Sequence, residues 1–373
     1  MTDYPNTNRI VDEFTELTSI DSVSFRERVF ADALKEKLTA LGFEFFEDEA
    51  GDAYGGNAGN IYAFLKGNSD AEPILLSSHM DTVQPGIGKK PIVRDDGRIT
   101  SDGTTVLGAD DVAGIVEILE GIRIIKESGV PHRSIELLFP IGEEEYIKGT
   151  DVFDFSKIKS KDAYVLDMSG KVGSAAIKAP SIISFEVVVK GKASHAGFHP
   201  EEGINAIQAM AYVVSSVSQG RIDEETTLNI GTISGGTATN IISEQCVCTG
   251  EIRSYVHEKA LAQLDKLKAA FEEAKNKYGI DYEFKTDINM KAYEIDKSSS
   301  VVSRFENVCS KLNLPGNLTE TFGGSDNNNF VKNGISGIVL SCGMYNVHSK
   351  AEYTTIEDLE KGSKLVAELI LAE

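Results

Sequence analysis

Apolar positions along the chain fall into two periods. Phe30, Leu34, Leu38 and Leu41 recur at spacings of four, four and three, and Gly42 stands where a C-terminal cap belongs, which predicts a helix. Val112, Ile115, Val116, Leu119 and Ile122 predict a second helix over 110–128, closed by Gly129. Short apolar runs at 60–65, 74–77, 134–139 and 163–166, each bounded by polar residues, predict strands. Strands that alternate with helices predict an α/β domain with a mostly parallel sheet covered on both faces.

The pattern changes near Ala179. A strand is predicted over 182–190, a helix over 204–217 and strands over 227–233 and 241–254. Leu261, Leu264, Leu267 and Phe271 mark another helix, and 281–289 closes the set as a strand. This β-α-β-β-α-β order is that of a ferredoxin-like sandwich. After Ala292 the earlier alternation resumes, with Val302, Phe305, Val308 and Leu312 on a helix, a strand at 337–340 and a final helix from about Ile356. The expected organisation is a discontinuous α/β domain, 1–178 and 293–373, interrupted by an α+β domain over 179–292.

Charge and cysteine content narrow the function. A formal net charge of −21 leaves no basic face for nucleic acid and disfavours docking on anionic membranes. No apolar run approaches the ~20 residues of a membrane span. The opening MTDYPNTNRI lacks the apolar core of a secretory leader, so a cytoplasmic location is expected. Cys246, Cys248, Cys309 and Cys342 are too few for a disulfide framework in a chain of this length, and they point to a reducing compartment. Cys246 and Cys248, two apart in an apolar segment, read as buried strand residues.

Candidate chemistry gathers after the predicted strands. His79, in Ser77-Ser78-His79-Met80-Asp81, follows the run at 74–77, and Asp81 is placed to accept its ring N–H. Asp110 and Asp111 open a helix, where aspartates commonly cap. The triplet Glu143-Glu144-Glu145 follows the strand at 134–139, Asp167 follows 163–166, and His348 comes after 337–340. In open α/β sheets, ligands collect beyond the carboxyl ends of the strands. Each position alone is unremarkable, and together they supply nitrogen and oxygen ligands without thiolate, a set that suits zinc, manganese or cobalt. Neighbouring glutamates in extended chain point opposite ways, so one can bind a metal while the other faces water.

With Ser78-His79-Met80-Asp81-Thr82, Gly108-Ala109-Asp110-Asp111, Gly142-Glu143-Glu144, Leu166-Asp167, Ala193-Ser194-His195-Ala196-Gly197, Gly323-Gly324-Ser325-Asp326 and Val347-His348-Ser349, the sequence resembles the dinuclear zinc exopeptidase and aminoacylase family that includes glutamate carboxypeptidase. The stretch from Asp102 to Asp111 is closest to the peptidase T branch, the tripeptide aminopeptidases. The resemblance implies two divalent ions, zinc foremost with cobalt or manganese as alternatives. Asp110 would be shared, His79 and Asp167 would complete one site, and Glu144 and His348 the other. Glu143 would be the general base and Asp81 the group that orients the histidine. The pair Glu143/Glu144 keeps four residues before Gly149, as in the family; Glu144/Glu145 is the alternative register. Val112 departs from the family, whose members often carry Lys there.

The resemblance further implies that a hydroxide shared by the metals attacks the peptide carbonyl and that His195 donates to the oxyanion from a neighbouring subunit. Asn240, Arg253 and the backbone at Gly324 would hold the substrate, although Arg253 reads equally as a surface ion pair. A homodimer through the inserted domain and a short peptide substrate follow from the same likeness. The alternatives are an N-acyl-amino-acid deacylase or carboxypeptidase with the same metals, and a binding protein that has lost catalysis. Gly-rich runs such as Ser234-Gly235-Gly236 form no phosphate loop and no spaced dinucleotide fingerprint, which sets a nucleotide-binding protein aside.

Overall fold

A computed structural model describes residues 5–372; the first four residues of the opening segment and Glu373 lie outside the described residues. The chain divides into two compact units. One takes in the chain up to Ile177, Glu294–Glu320 and the residues from Ser325 onward; the other is Lys178–Tyr293 with Thr321–Gly324. The sequence reading has no counterpart for the return of 321–324 to the second unit.

In chain order the first unit begins with α1 (Thr7–Thr18), α2 (Arg28–Ala40), β1 (Glu44–Glu47), β2 (Ile61–Leu65), β3 (Ile74–Ser77), β4 (Ile92–Val93), β5 (Arg98–Thr100) and α3 (Ala109–Ser128). It continues through β6 (Ile135–Phe139), the one-turn α4 (Lys148–Asp151), β7 (Asp162–Met168) and β8 (Ser174–Ala179). The second unit holds β9 (Ser181–Lys190), α5 (Ala206–Ser216), β10 (Gly220–Asp223), β11 (Thr226–Gly235), β12 (Gln245–Ser254), α6 (His257–Tyr278) and β13 (Asp281–Met290). After β14 (Tyr293–Glu294) come α7 (Ser300–Leu312), β15 (Asn317–Glu320), α8 (Asn327–Lys332), β16 (Ser336–Ser341), β17 (Met344–Tyr345), β18 (Tyr353–Thr355) and α9 (Ile356–Leu371).

The main sheet runs β1-β2-β6-β3-β7-β16-β8-β14, with β15 on β8. Its four middle strands, β6-β3-β7-β16, are parallel, and antiparallel strands flank them. Leu138, Ser77, Val165 and Val339 line up in register across the parallel set. All four strands therefore end at one edge, and the residues that follow them are delivered to one place. Ala163 and Val165 of β7 pack with Phe153 and Phe330 on one face. Tyr164 turns to the other face, where its hydroxyl donates to the Val301 carbonyl of α7. Helix α3 is buried almost throughout, which explains its apolar sequence. Two glycines let it approach its neighbours: a Cβ on Gly114 would lie 2.5 Å from the Leu166 carbonyl, and one on Gly121 would lie 2.6 Å from Val366 of α9. Helix α1, absent from the sequence reading, buries Ile10, Phe14 and Leu17.

The second unit is a five-stranded antiparallel sheet in the order β10-β11-β12-β9-β13, with α5 and α6 packed on it. Four of these strands give the predicted ferredoxin-like order, and the short hairpin strand β10 is an addition. Alternation sets the core: Ile183, Phe185, Val187 and Val189 of β9 point inward, beside Cys246 and Cys248 of β12. All four cysteines are buried and unpaired. Among the described residues no helix is long and apolar enough to cross a membrane.

Candidate metal centre

Beyond the parallel edge, the loops after β3, β6 and β16, the end of β7 and the start of α3 bring a cluster of imidazoles and carboxylates together. Asp110 lies at its middle. Its Oδ1 is 3.1 Å from His79 Nε2, and its Oδ2 is 3.3 Å from His348 Nε2. Asp167 Oδ1 is 3.7 Å from the same His79 nitrogen, and Glu144 Oε1 is 3.0 Å from His348 Nε2. Two overlapping groups offer ligand atoms within 4.8 Å of one another: His79, Asp110 and Glu144, and His79, Asp111 and Asp167.

The backbone explains why an aspartate pair serves here. Although α3 is drawn from Ala109, Asp110 (φ −83°, ψ 97°) and Asp111 (φ −124°, ψ 31°) are not helical, so they do not act as simple caps. Asp111 Oδ2 accepts from the Ser78 hydroxyl at 2.6 Å and from the His79 backbone N–H at 3.1 Å. Asp81 faces His79 Nδ1 at 3.4 Å. It also accepts the N–H groups of Glu143 at 2.9 Å and Glu144 at 3.2 Å, and the Ser24 hydroxyl at 2.6 Å. One carboxylate thus aims the histidine and shapes the turn that carries both glutamates. Glu145 points to solvent, whereas Glu143 is buried.

Electrostatics test whether the cluster suits cations. Burial, reinforced by Asp167, raises Glu143 well above the usual carboxylate range. Burial also raises Asp167, as does the nearby charge of Asp110, and it raises Glu144 against the opposing bond from His348. Burial would raise Asp110 too, but the bonds from His348 and His79 outweigh it and hold that carboxyl low. His348 is pushed up to about 10 by Asp110 and Glu144. Negative charge here exceeds what two imidazoles neutralise in a buried setting. His79 Nδ1 is buried without a hydrogen bond, and Asp81 is its nearest acceptor. A neutral ring that donates from Nδ1 to Asp81 would present Nε2 as a ligand. The donor set and this orphaned nitrogen fit divalent cations.

The remaining predicted residues belong to the second unit. His195 is exposed, and its Nδ1 accepts the N–H groups of Gly197 at 3.1 Å and Phe198 at 3.2 Å. On a neutral ring this leaves the proton on Nε2. The Asn240 carbonyl accepts from Ala196, which ties it to the His195 turn. Arg253 is held by Glu251 at 2.7 and 3.0 Å and donates to the Phe322 carbonyl at 2.8 Å. A Cβ on Gly324 would lie 1.8 Å from Met290 Sδ, so a larger residue there would have to displace the Met290 side chain.

Sequence reasoning passed over three carboxylates. Asp111 was read only as a cap. Glu27 accepts the N–H of Gly142, next to Glu143, at 3.1 Å, and Glu352 accepts the N–H of Asp110 at 2.9 Å. Both are buried acids, and nothing in the sequence around them marks their roles.

Comparison with known proteins adds to this geometry. Residues 177–279 match the peptidase dimerisation domain of M20 enzymes. The chain is 39% identical to the uncharacterized protein YqjE of Bacillus subtilis over 98% of each chain. It is similar to the crystal structure of aminopeptidase PepT from Bacillus cereus, with 38% identity, a TM-score of 0.90 and 98% of each chain covered. A tripeptidase from Staphylococcus aureus superposes with a TM-score of 0.95 at 34% identity, again over 98% of each chain.

Proposed function

The chain belongs to the M20 family of peptidases, and on that premise we propose that it is an aminopeptidase that removes the N-terminal residue from tripeptides at a site for two divalent cations. The observation that carries this reading is the placement of Asp110, with one oxygen toward His79 and the other toward His348. Asp110 is then the shared ligand, His79 and Asp167 complete one site, and Glu144 and His348 complete the other. Zinc suits this nitrogen and oxygen set best, with cobalt or manganese as alternatives. When bound, such cations supply Lewis acidity, which makes water easier to deprotonate and a carbonyl easier to attack.

Glu143 takes the proton from the attacking water and delivers it to the leaving amine. Its burial raises it above the usual carboxylate range, which makes it a stronger base toward the water than an exposed glutamate. Asp81 keeps the His79 ring oriented and holds the turn that presents Glu143. His195 donates from Nε2 to the oxyanion, supplied by the second subunit of a homodimer formed through the inserted domain. Asn240 and the backbone at Gly324 hold the substrate carbonyl. Arg253 receives a carboxylate in exchange for part of its bonding to Glu251. Residues 1–178 and 293–373 form the catalytic domain in this reading, and 179–292 the lid and dimerisation domain. Four buried, unpaired cysteines support a reducing, cytoplasmic setting.

Arg253 also favours a second reading, a carboxypeptidase or N-acyl-amino-acid deacylase, since both need a grip on a carboxylate. Replacing Glu143 with Gln is expected to leave metal bound while cutting tripeptide turnover about 100- to 10,000-fold. Unchanged turnover removes Glu143 as the base. A parallel assay on N-acetylated peptides separates the two readings, because an aminopeptidase leaves them intact.

A further inference from the structure

We propose that Glu352 is a positioning residue for the metal centre, a buried carboxylate that holds the backbone of the loop carrying Asp110. This inference rests on the reading of Asp110 as the ligand shared by two cations. Glu352 is 1% exposed and lies four residues after His348. Its Oε2 accepts the N–H groups of Leu107 at 2.6 Å and Gly108 at 2.8 Å, and its Oε1 accepts that of Asp110 at 2.9 Å. The helix leaves these donors without partners, because they stand at or before its first turn and Asp110 is not helical. One planar group bonded through both oxygens fixes the position and the rotation of the segment from Leu107 to Asp110.

The same residue is anchored on its own side. Its N–H donates to the Ser349 carbonyl at 3.1 Å, and β18 begins at the next residue. Glu352 therefore joins the loop of His348 to the loop of Asp110, the two ligands whose side chains meet at 3.3 Å. Gly108 supports the close fit: it has φ +80°, and a Cβ there would lie 3.2 Å from Cε of the buried Lys89. Without the grip of Glu352, the Asp110 carboxylate loses the backbone restraint that aims it between the two histidines.

The test uses the full-length protein stripped of metal and titrated with zinc ion alone. Glu352→Gln keeps the volume and one acceptor but sets an amide N–H₂ against part of the donor trio, so it folds while it loosens the loop. Expected results are at least about tenfold weaker binding of one zinc ion, the scale found for groups that orient ligands. With zinc restored, tripeptide kcat should fall while KM stays within about twofold. Glu13→Gln serves as the structural control, since the buried Glu13 of α1 accepts from Arg123, well along α3, at 2.6 and 2.7 Å and bonds no loop that carries a ligand. It should lower the thermal midpoint and leave zinc affinity unchanged. A Glu352→Gln protein that binds both zinc ions within twofold of wild type overturns the proposal, provided Asp110→Asn loses binding. If Asp110→Asn also keeps both ions, the proposal falls together with the reading beneath it.

Discussion

Glu144 and His348 meet with 3.0 Å between Oε1 and Nε2, although 204 residues separate them in the chain. With Asp110 on the same nitrogen, this contact pushes His348 up to about 10 in the metal-free protein. The ring is therefore charged at pH 7, whereas a metal ligand must be neutral. Zinc has to displace a proton, so affinity should rise as pH increases toward about 10. Calorimetric titration of the metal-free protein in buffers of different ionisation enthalpy should give heats that differ by the released proton. His348→Ala should reduce that release. Heats independent of buffer contradict this account of the pair.

A second pH effect lies away from the centre. Glu47 on β1 accepts from Arg28 at 2.6 and 2.8 Å and from Lys35 at 2.9 Å. Burial would raise its carboxyl, but the two cations outweigh burial and bring it from its ordinary 4.5 to about 2. A depressed pKa contributes stability above the unfolded value, and that contribution is lost as pH falls from about 4.5 to about 2. Glu47→Gln should cost about 1–2 kcal/mol at pH 7 after allowance for partial exposure. The gap to wild type should narrow by pH 3 in urea unfolding. An equal gap at both values argues against the ion pair as its source.

If His195 acts across subunits, two inactive variants should rescue each other. Glu143→Gln destroys one function of the site and His195→Ala another. After subunit exchange, a mixed dimer holds one site with both groups intact. Statistical mixing should restore about a quarter of wild-type activity. No recovery despite demonstrated exchange places His195 in its own subunit's site or outside the reaction.

Much of this site was legible because parallel topology does the gathering. Once 74–77, 134–139, 163–166 and 337–340 are read as neighbouring parallel strands, His79, Glu143, Glu144, Asp167 and His348 must follow one edge. Helix α1 carries helical spacing in Ile10, Phe14 and Leu17, and the prediction omitted it. Strands β4, β5, β17 and β18 have two or three residues, too few for any period to show. The backbone at Asp110 and Asp111 was misread, because two aspartates before an apolar helix look like caps. Glu352 and Glu27 were invisible for another reason. Their partners are backbone N–H groups 242 and 115 residues away, which no side-chain pattern announces.

The central claim is that five side chains, His79, Asp110, Glu144, Asp167 and His348, hold two cations. Metal content decides it most directly. Full-length protein stripped by a chelator and titrated with zinc should bind two ions per chain, and tripeptide hydrolysis should return only as the second is taken up. Substituting Asp110 should weaken both. A chain that binds no zinc, or that hydrolyses tripeptides at full rate while free of metal, contradicts the account.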